Sequence, residues 1–153
     1  MNFFKHQPFY ILIMVKFKFL EHTADAKFQA YGKNMEEAFS NAALAMFSII
    51  TDTKKIKKNI KKGIEAKGHD LKSLLYNFLE ELLFLIDTEN FLLNHVEEIV
   101  IHEKEGKYFL EAIAIGDKAD NYETNGDIKA VTYNEMEIKE EKGKVMVQIV
   151  LDL

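Results

Sequence analysis

The residues with the most chemical capacity sit in one short connection, Glu21-His22-Thr23-Ala24-Asp25. A histidine, a hydroxyl and two carboxylates could do acid–base or nucleophilic work. That chemistry needs a nucleophile held by the histidine and donors for an oxyanion. No Gly-x-Ser-x-Gly elbow occurs in the chain. A hydrogen-bonded turn lock, with His22 orienting backbone, accounts for the same residues, so no catalytic residue is assigned. The second chemistry is metal binding. The chain closes with Val150-Leu151-Asp152-Leu153, which puts Asp152 beside the terminal carboxylate. If the two ends meet, Asp25, Asp152 and the Leu153 carboxylate supply oxygen donors only. Such donors suit a hard cation, calcium or magnesium, better than zinc. From spacing alone, Asp152 reads equally as a solvated C-terminal residue, because nothing in the pattern brings the ends together. His6, His69, His95 and His102 show no paired ligand spacing, and the isolated glycines form no phosphate loop.

The elements that must position these residues follow from periodicity. Residues 15–20 alternate apolar side chains with lysine, the period of a half-buried strand. Beyond the connection, Ala26, Phe28 and Ala30 face one way and Lys27, Gln29 and Tyr31 the other. The connection therefore lies at a sheet end. Gly32-Lys33-Asn34 makes a turn, with Asn34 as a helix N-cap and Glu37 completing a variant capping box. A helix is expected over 35–50, with Met35, Phe39, Ala42, Met46 and Ile49 on one stripe and Glu36 and Glu37 in its first turn. Asp70 caps a second helix over 71–86. Its Leu71, Leu75, Phe78, Leu82 and Leu85 form a stripe that Leu74, Leu79, Leu83 and Ile86 widen, so it is buried on more than one side. Asp87-Thr88-Glu89-Asn90 stops it.

Between the helices, Lys54, Lys55, Lys57, Lys58, Lys61 and Lys62 form a basic run. It is either a phosphate-binding patch or a solvated loop leading into a strand that carries Ile60, Ile64 and Ala66. Without arginine or interleaved aromatics, the solvated loop is the expectation. Further strands are expected over 96–101, 108–115, 128–133, 136–141 and 145–151, with a polar loop over 116–126 and a hairpin turn over 141–144. This order makes an α+β domain, two helices packed on a mostly antiparallel sheet.

Composition narrows the function classes. At 153 residues the chain is one domain that needs no staple to fold. It has no cysteine, which excludes thiol chemistry and disulfides and fits a reducing cytoplasm. All 20 basic residues are lysine, so bidentate arginine contacts to phosphate or guanine are excluded. A net charge of −5 argues against general nucleic-acid binding. The apolar stretch 9–15 is shorter than the ~20 residues that span a membrane, and no small-residue cleavage site follows it. Residues 1–13 are read as an upstream extension, with Met14 as the native start and 14–153 as the domain.

Taken together, several short motifs resemble the archease family. They are Phe19-Leu20-Glu21-His22-Thr23-Ala24-Asp25; Glu36-Glu37-Ala38-Phe39 with Ala42-Ala43 and Met46-Phe47; and Leu74-Leu75 through Glu81-Leu82-Leu83. Gly116-Asp117, Lys129-Ala130-Val131-Thr132-Tyr133 and Val150-Leu151-Asp152 follow in the same order. The resemblance implies an α+β protein that is not an enzyme itself but assists RtcB-type RNA ligases, which join RNA ends in tRNA splicing and RNA repair. It implies promotion of ligase guanylylation and of multiple turnover. It also implies a divalent-metal site at Asp25, Asp152 and Leu153, occupied by calcium, with magnesium or manganese as alternatives. Family members usually carry histidine where this chain has Asn134, which cannot shuttle a proton. The expected partner is the ligase, with tRNA involved indirectly and no membrane; homo-oligomer formation stays open. A stand-alone metal-dependent hydrolase and a general chaperone or scaffold are the competing readings.

Overall fold

Alternating and amphipathic segments become strands and helices in the order that the sequence sets out. The computed structural model describes residues 15–22 and 25–153. The extension 1–13, Met14, Thr23 and Ala24 lie outside the described residues. The strands are β1 (Phe17–Leu20), β2 (Asp25–Gly32), β3 (Ile60–Gly68), β4 (Phe91–Lys104), β5 (Lys107–Lys118), β6 (Ala130–Val131), β7 (Glu137–Glu141) and β8 (Lys144–Asp152). The helices are α1 (Met35–Ser48), between β2 and β3, and α2 (Leu71–Glu89), between β3 and β4.

The expected sheet is two sheets, and every pairing in them is antiparallel. In the larger, β1 pairs β2 and β2 pairs β8; the far edge of β8 takes β7 along its first half and β6 at its end. The smaller runs in the order β3, β5, β4. Helix α1 lies on β2 and reaches across to β4, while α2 lies on β3 and touches β6 and β7. Phe39 and Phe78 stack at 6.1 Å to join the helices, and Phe47 meets Phe91 edge-on at 6.4 Å. Each such buried aromatic contributes about 1.5–3 kcal/mol. Strand β8 is buried on both faces. Val145, Val147, Ile149 and Leu151 enter the main core, and Met146 packs with Tyr31 on the other side.

The caps fall where the side chains require them. Asn34 Oδ1 accepts the Glu37 N–H at 2.8 Å, and Glu37 reaches back to the Lys33 N–H at 3.2 Å. Asp70 Oδ1 accepts the Ser73 N–H at 2.7 Å, and Ser73 Oγ closes the box. The Ser73 backbone contact holds the Asp70 carboxyl below its usual range.

Some boundaries differ from the sequence reading. Helix α1 ends at Ser48, where the last turn tightens and Ile49 N–H bonds Met46 O. Helix α2 continues past 86 to Glu89, because the stop is Asn90 at φ 54 rather than the polar run before it. Strand β4 begins at Phe91, since Phe91, Leu92 and Leu93 are all buried and carry no alternation. In the expected strand 128–133 only Ala130 and Val131 are ladder residues. β8 has just two residues left to offer there, although Lys129 N–H still reaches Asp152 O and Thr132 N–H reaches Val150 O.

Candidate functional site

Period two decides what shares a face with Asp25. With Ala26, Phe28 and Ala30 turned into the core, the opposite face of β2 carries Asp25, Lys27, Gln29 and Tyr31. Their partners on β8 are Asp152, Val150, Gln148 and Met146. The start of β2 thus meets the end of β8: Asp25 and Asp152 are direct cross-strand partners, and Asp152 is also paired with Ala130 on its other side. Leu153 follows at the rim and is partly exposed. Like charges directly opposed on a sheet are destabilising unless a proton or a cation offsets them.

His22 stands beside this pair in a role different from the expected backbone lock. Its Nε2 lies 2.9 Å from Glu135 Oε2, and its Nδ1 lies 3.5 Å from Asp25 Oδ2. Lys27 Nζ donates to the other Glu135 oxygen at 3.3 Å. These contacts, His22 foremost and Lys27 next, hold the Glu135 carboxyl below its ordinary range. An ionised carboxylate only accepts, so His22 Nε2 is the donor. His22 Nδ1 is buried and has no hydrogen-bond partner. Glu21 is exposed and takes no part, and Thr23 lies outside the described residues.

A polar chain fixes the loop that bears Glu135. Tyr31 Oη donates to Gln29 Oε1 at 2.8 Å, Gln29 Nε2 to Gln148 Oε1 at 2.9 Å, and Gln148 Nε2 to Glu135 O at 2.8 Å. Burial pushes the Tyr31 phenol up to about 12, so it stays a neutral donor. Thr132 Oγ1 donates to Val150 O at 2.7 Å, and Tyr133 stacks on Tyr76 of α2 at 4.3 Å. Glu135 adopts φ 51, a strained conformation for this residue type that the surrounding bonds hold in place. Asn134 is exposed at the tip of this loop.

The donor chemistry fits a hard cation. Two carboxylates face each other on one sheet face and the chain terminus adjoins them, oxygen donors all; the buried His22 Nδ1, without a hydrogen-bond partner, lies alongside Asp25. Among the described residues, however, no three histidine, aspartate or glutamate side chains converge into a closed cage. A cation here would rest on Asp25, Asp152 and the terminus, its remaining positions left to water or to a partner. Glu135, Lys27, Gln29 and Gln148 escape a reading by motif. A lone glutamine in the apolar strand 145–151 and the shared face of Asp25, Lys27 and Gln29 are the signals that could have pointed to three of them. Glu135 offers none, since its contact to His22 spans 113 positions.

Comparison with known proteins bears on the whole arrangement. A sequence model of the Archease protein family (MTH1598/TM1083) matches residues 17–153. The chain is 44% identical over 142 residues to protein archease of Methanosarcina barkeri, covering 90% of this chain and 96% of that protein. It is 42% identical over 143 residues to protein archease of Pyrococcus furiosus, covering 92% and 100%. The solution structure of Methanobacterium thermoautotrophicum protein 1598 superposes with a TM-score of 0.77 at 39% identity, covering 90% of this chain and 99% of that one. An archease of Thermotoga maritima, described as a possible chaperone, shares the fold with a TM-score of 0.56 at 16% identity, covering 89% and 96%. The match takes in both halves of the carboxylate pair and the strands that bring them together, and the chain belongs to the archease family.

Proposed function

We propose that this chain is a protein cofactor of an RtcB-type RNA ligase, acting in the cytoplasm in tRNA splicing and RNA repair and not as an enzyme in its own right. In this reading it promotes guanylylation of the ligase and repeated turnover. The observation that carries the reading is the cross-strand opposition of Asp25 and Asp152 where β2 begins and β8 ends. Asp25, Asp152 and the Leu153 carboxylate would hold a divalent cation, calcium or else magnesium or manganese. Such a cation, when bound, supplies charge neutralisation and a Lewis-acid face for phosphate oxygens.

The chain's own residues do the positioning. The β2–β8 ladder sets the spacing of the two carboxylates. Glu135 fixes the His22 ring, and the Tyr31-Gln29-Gln148 chain fixes Glu135. Phe19, Tyr133 and Leu153 are exposed apolar side chains on the elements that carry or flank the site, and they suit contact with a partner protein. The absence of arginine and the net negative charge suit action on a basic ligase surface rather than a direct grip on RNA.

Ligase guanylylation and multiple-turnover ligation, measured with folded Asp25→Ala and Asp152→Ala proteins, test this. Stimulation is expected to be lost in both; unchanged stimulation defeats the reading. A second reading, a general chaperone, draws support from the description of the Thermotoga relative. It predicts action on unrelated clients and indifference to both carboxylates. A stand-alone hydrolase would turn over phosphoesters without the ligase present.

A further inference from the structure

A cleft of mixed polar and apolar lining opens at the far end of β1, away from the carboxylate pair. Its lining includes Lys16 ahead of β1, Thr51, Lys54 and Lys58 after α1, and Asn94 of β4. Its volume is about 710 Å³, within the roughly 300–1,000 Å³ of small-ligand sites. Along β2 it lies opposite Ala30 rather than Asp25, about 17 Å away at the rise of an extended strand. We propose that this cleft binds a phosphate-bearing ligand through the ammonium groups of Lys16, Lys54 and Lys58.

Charge and rigidity argue for it together. Among the described residues none of these three ammonium groups is paired with a carboxylate. The carboxylate on the lining, Asp52, spends one oxygen as a cap, accepting the Lys54 N–H at 3.2 Å. Point-charge ammonium groups are the phosphate binders open to a chain without arginine.

Lys54 and Lys58 are exposed on the solvated loop expected ahead of β3, and the backbone of that loop is held in place. Ile56 is buried in the core between them. Asn94 Nδ2 donates to Ile56 O at 2.7 Å. Lys57 N–H donates to Tyr122 Oη at 2.9 Å, Tyr122 Oη donates to Asp117 Oδ2 at 2.7 Å, and Asn59 Nδ2 donates to the same oxygen at 3.2 Å. Asp117 is buried, and these contacts, Tyr122 foremost, hold its carboxyl below the usual range. A network anchored on the buried Asp117 therefore holds the lysine loop in shape, so less conformational freedom is lost when an anion binds. The inference stands on the cleft and does not depend on the ligase reading.

The test is amide NMR of the isotope-labelled protein, titrated separately with tripolyphosphate and with a short single-stranded oligouridine RNA. Saturable shifts centred on residues 51–58 and on Asn94 and His95 are expected. Saturation by both probes identifies a phosphate chain of any origin as the ligand; saturation by RNA alone identifies a phosphodiester backbone. The double variant Lys54→Gln/Lys58→Gln should weaken binding by about tenfold or more. Lys107→Gln/Lys142→Gln should leave it unchanged, and amide spectra away from the substituted loop report that both variants are folded. Failure to saturate with either probe overturns the proposal. So do shifts spread evenly over the lysine surface, or equal binding by the two double variants.

Discussion

Gln148 shows how much one polar residue can hold. It lies in the most deeply buried strand, and both ends of its amide are used, one by Gln29 and the other by the carbonyl of Glu135. Gln148→Leu keeps the volume and removes both bonds. It leaves the Gln29 amide and the Glu135 carbonyl unsatisfied, at a cost of about 1–3 kcal/mol. Urea unfolding should record that loss, and hydrogen exchange should quicken at the Glu135 and Met136 amides. Adding Gln29→Leu should recover part of it, because an apolar pair leaves fewer orphaned groups. If exchange at these amides is unchanged, the chain from Tyr31 to Glu135 does not hold the loop. At this scale the sequence was half legible. Asp25, Asp152 and His22 stand out by type, and alternation places Lys27 and Gln29 with Asp25. Glu135 is invisible because its meaning is a contact made from a turn far along the chain, at a backbone angle that no pattern announces.

At the scale of elements, two glycines separate close approach from open space. A Cβ on Gly116 would collide with the Leu92 carbonyl oxygen and come within 2.8 Å of the Phe91 ring. Strand β5 therefore touches β4 at a point where only a hydrogen atom fits. Gly63 on β3 has nothing within 4 Å of the same position and an ordinary φ. Gly116→Ala should destabilise by about 3 kcal/mol or more, since backbone has to move. Gly63→Ala should be neutral or stabilising by up to about 1 kcal/mol, through a less flexible unfolded chain. Thermal unfolding of the two variants decides this; equal effects would mean that β4 and β5 are not locked together here. The helices were legible because a cap and a 3.6-residue stripe are local signals, and Asn34 and Asp70 sit where those signals put them. The start of β4 was not, because a strand buried on both faces loses its alternation. The division into two sheets was also out of reach, since partners such as β2 and β8 lie far apart in sequence and no segment alone names its neighbour.

For the whole molecule, the decisive fact is that β8 returns to the β1–β2 hairpin, so that segments more than a hundred residues apart share one charged site. The fold brings Asp25 against Asp152 at an electrostatic cost, since neither carboxylate has a lysine or arginine bonded to it among the described residues. Two effects should follow in thermal unfolding. Without divalent cations and at low ionic strength, Asp152→Asn should unfold at a higher temperature than the parent protein, because the repulsion is gone. With calcium, the parent should gain where the variant does not. A cation that binds only the folded chain adds about 2.7 kcal/mol at a hundredfold excess over its Kd. For a chain of this size that is a rise of roughly 5–10 °C. Asp25→Asn should behave as Asp152→Asn does, since each removes half of the same pair, and magnesium should reproduce the rise if charge alone matters. A parent protein that gains nothing from any divalent cation, or variants that gain as much as the parent, would leave the carboxylate pair as a strained ladder end with no ion to hold. Because the measurement needs no ligase, it tests metal binding separately from the role proposed for it.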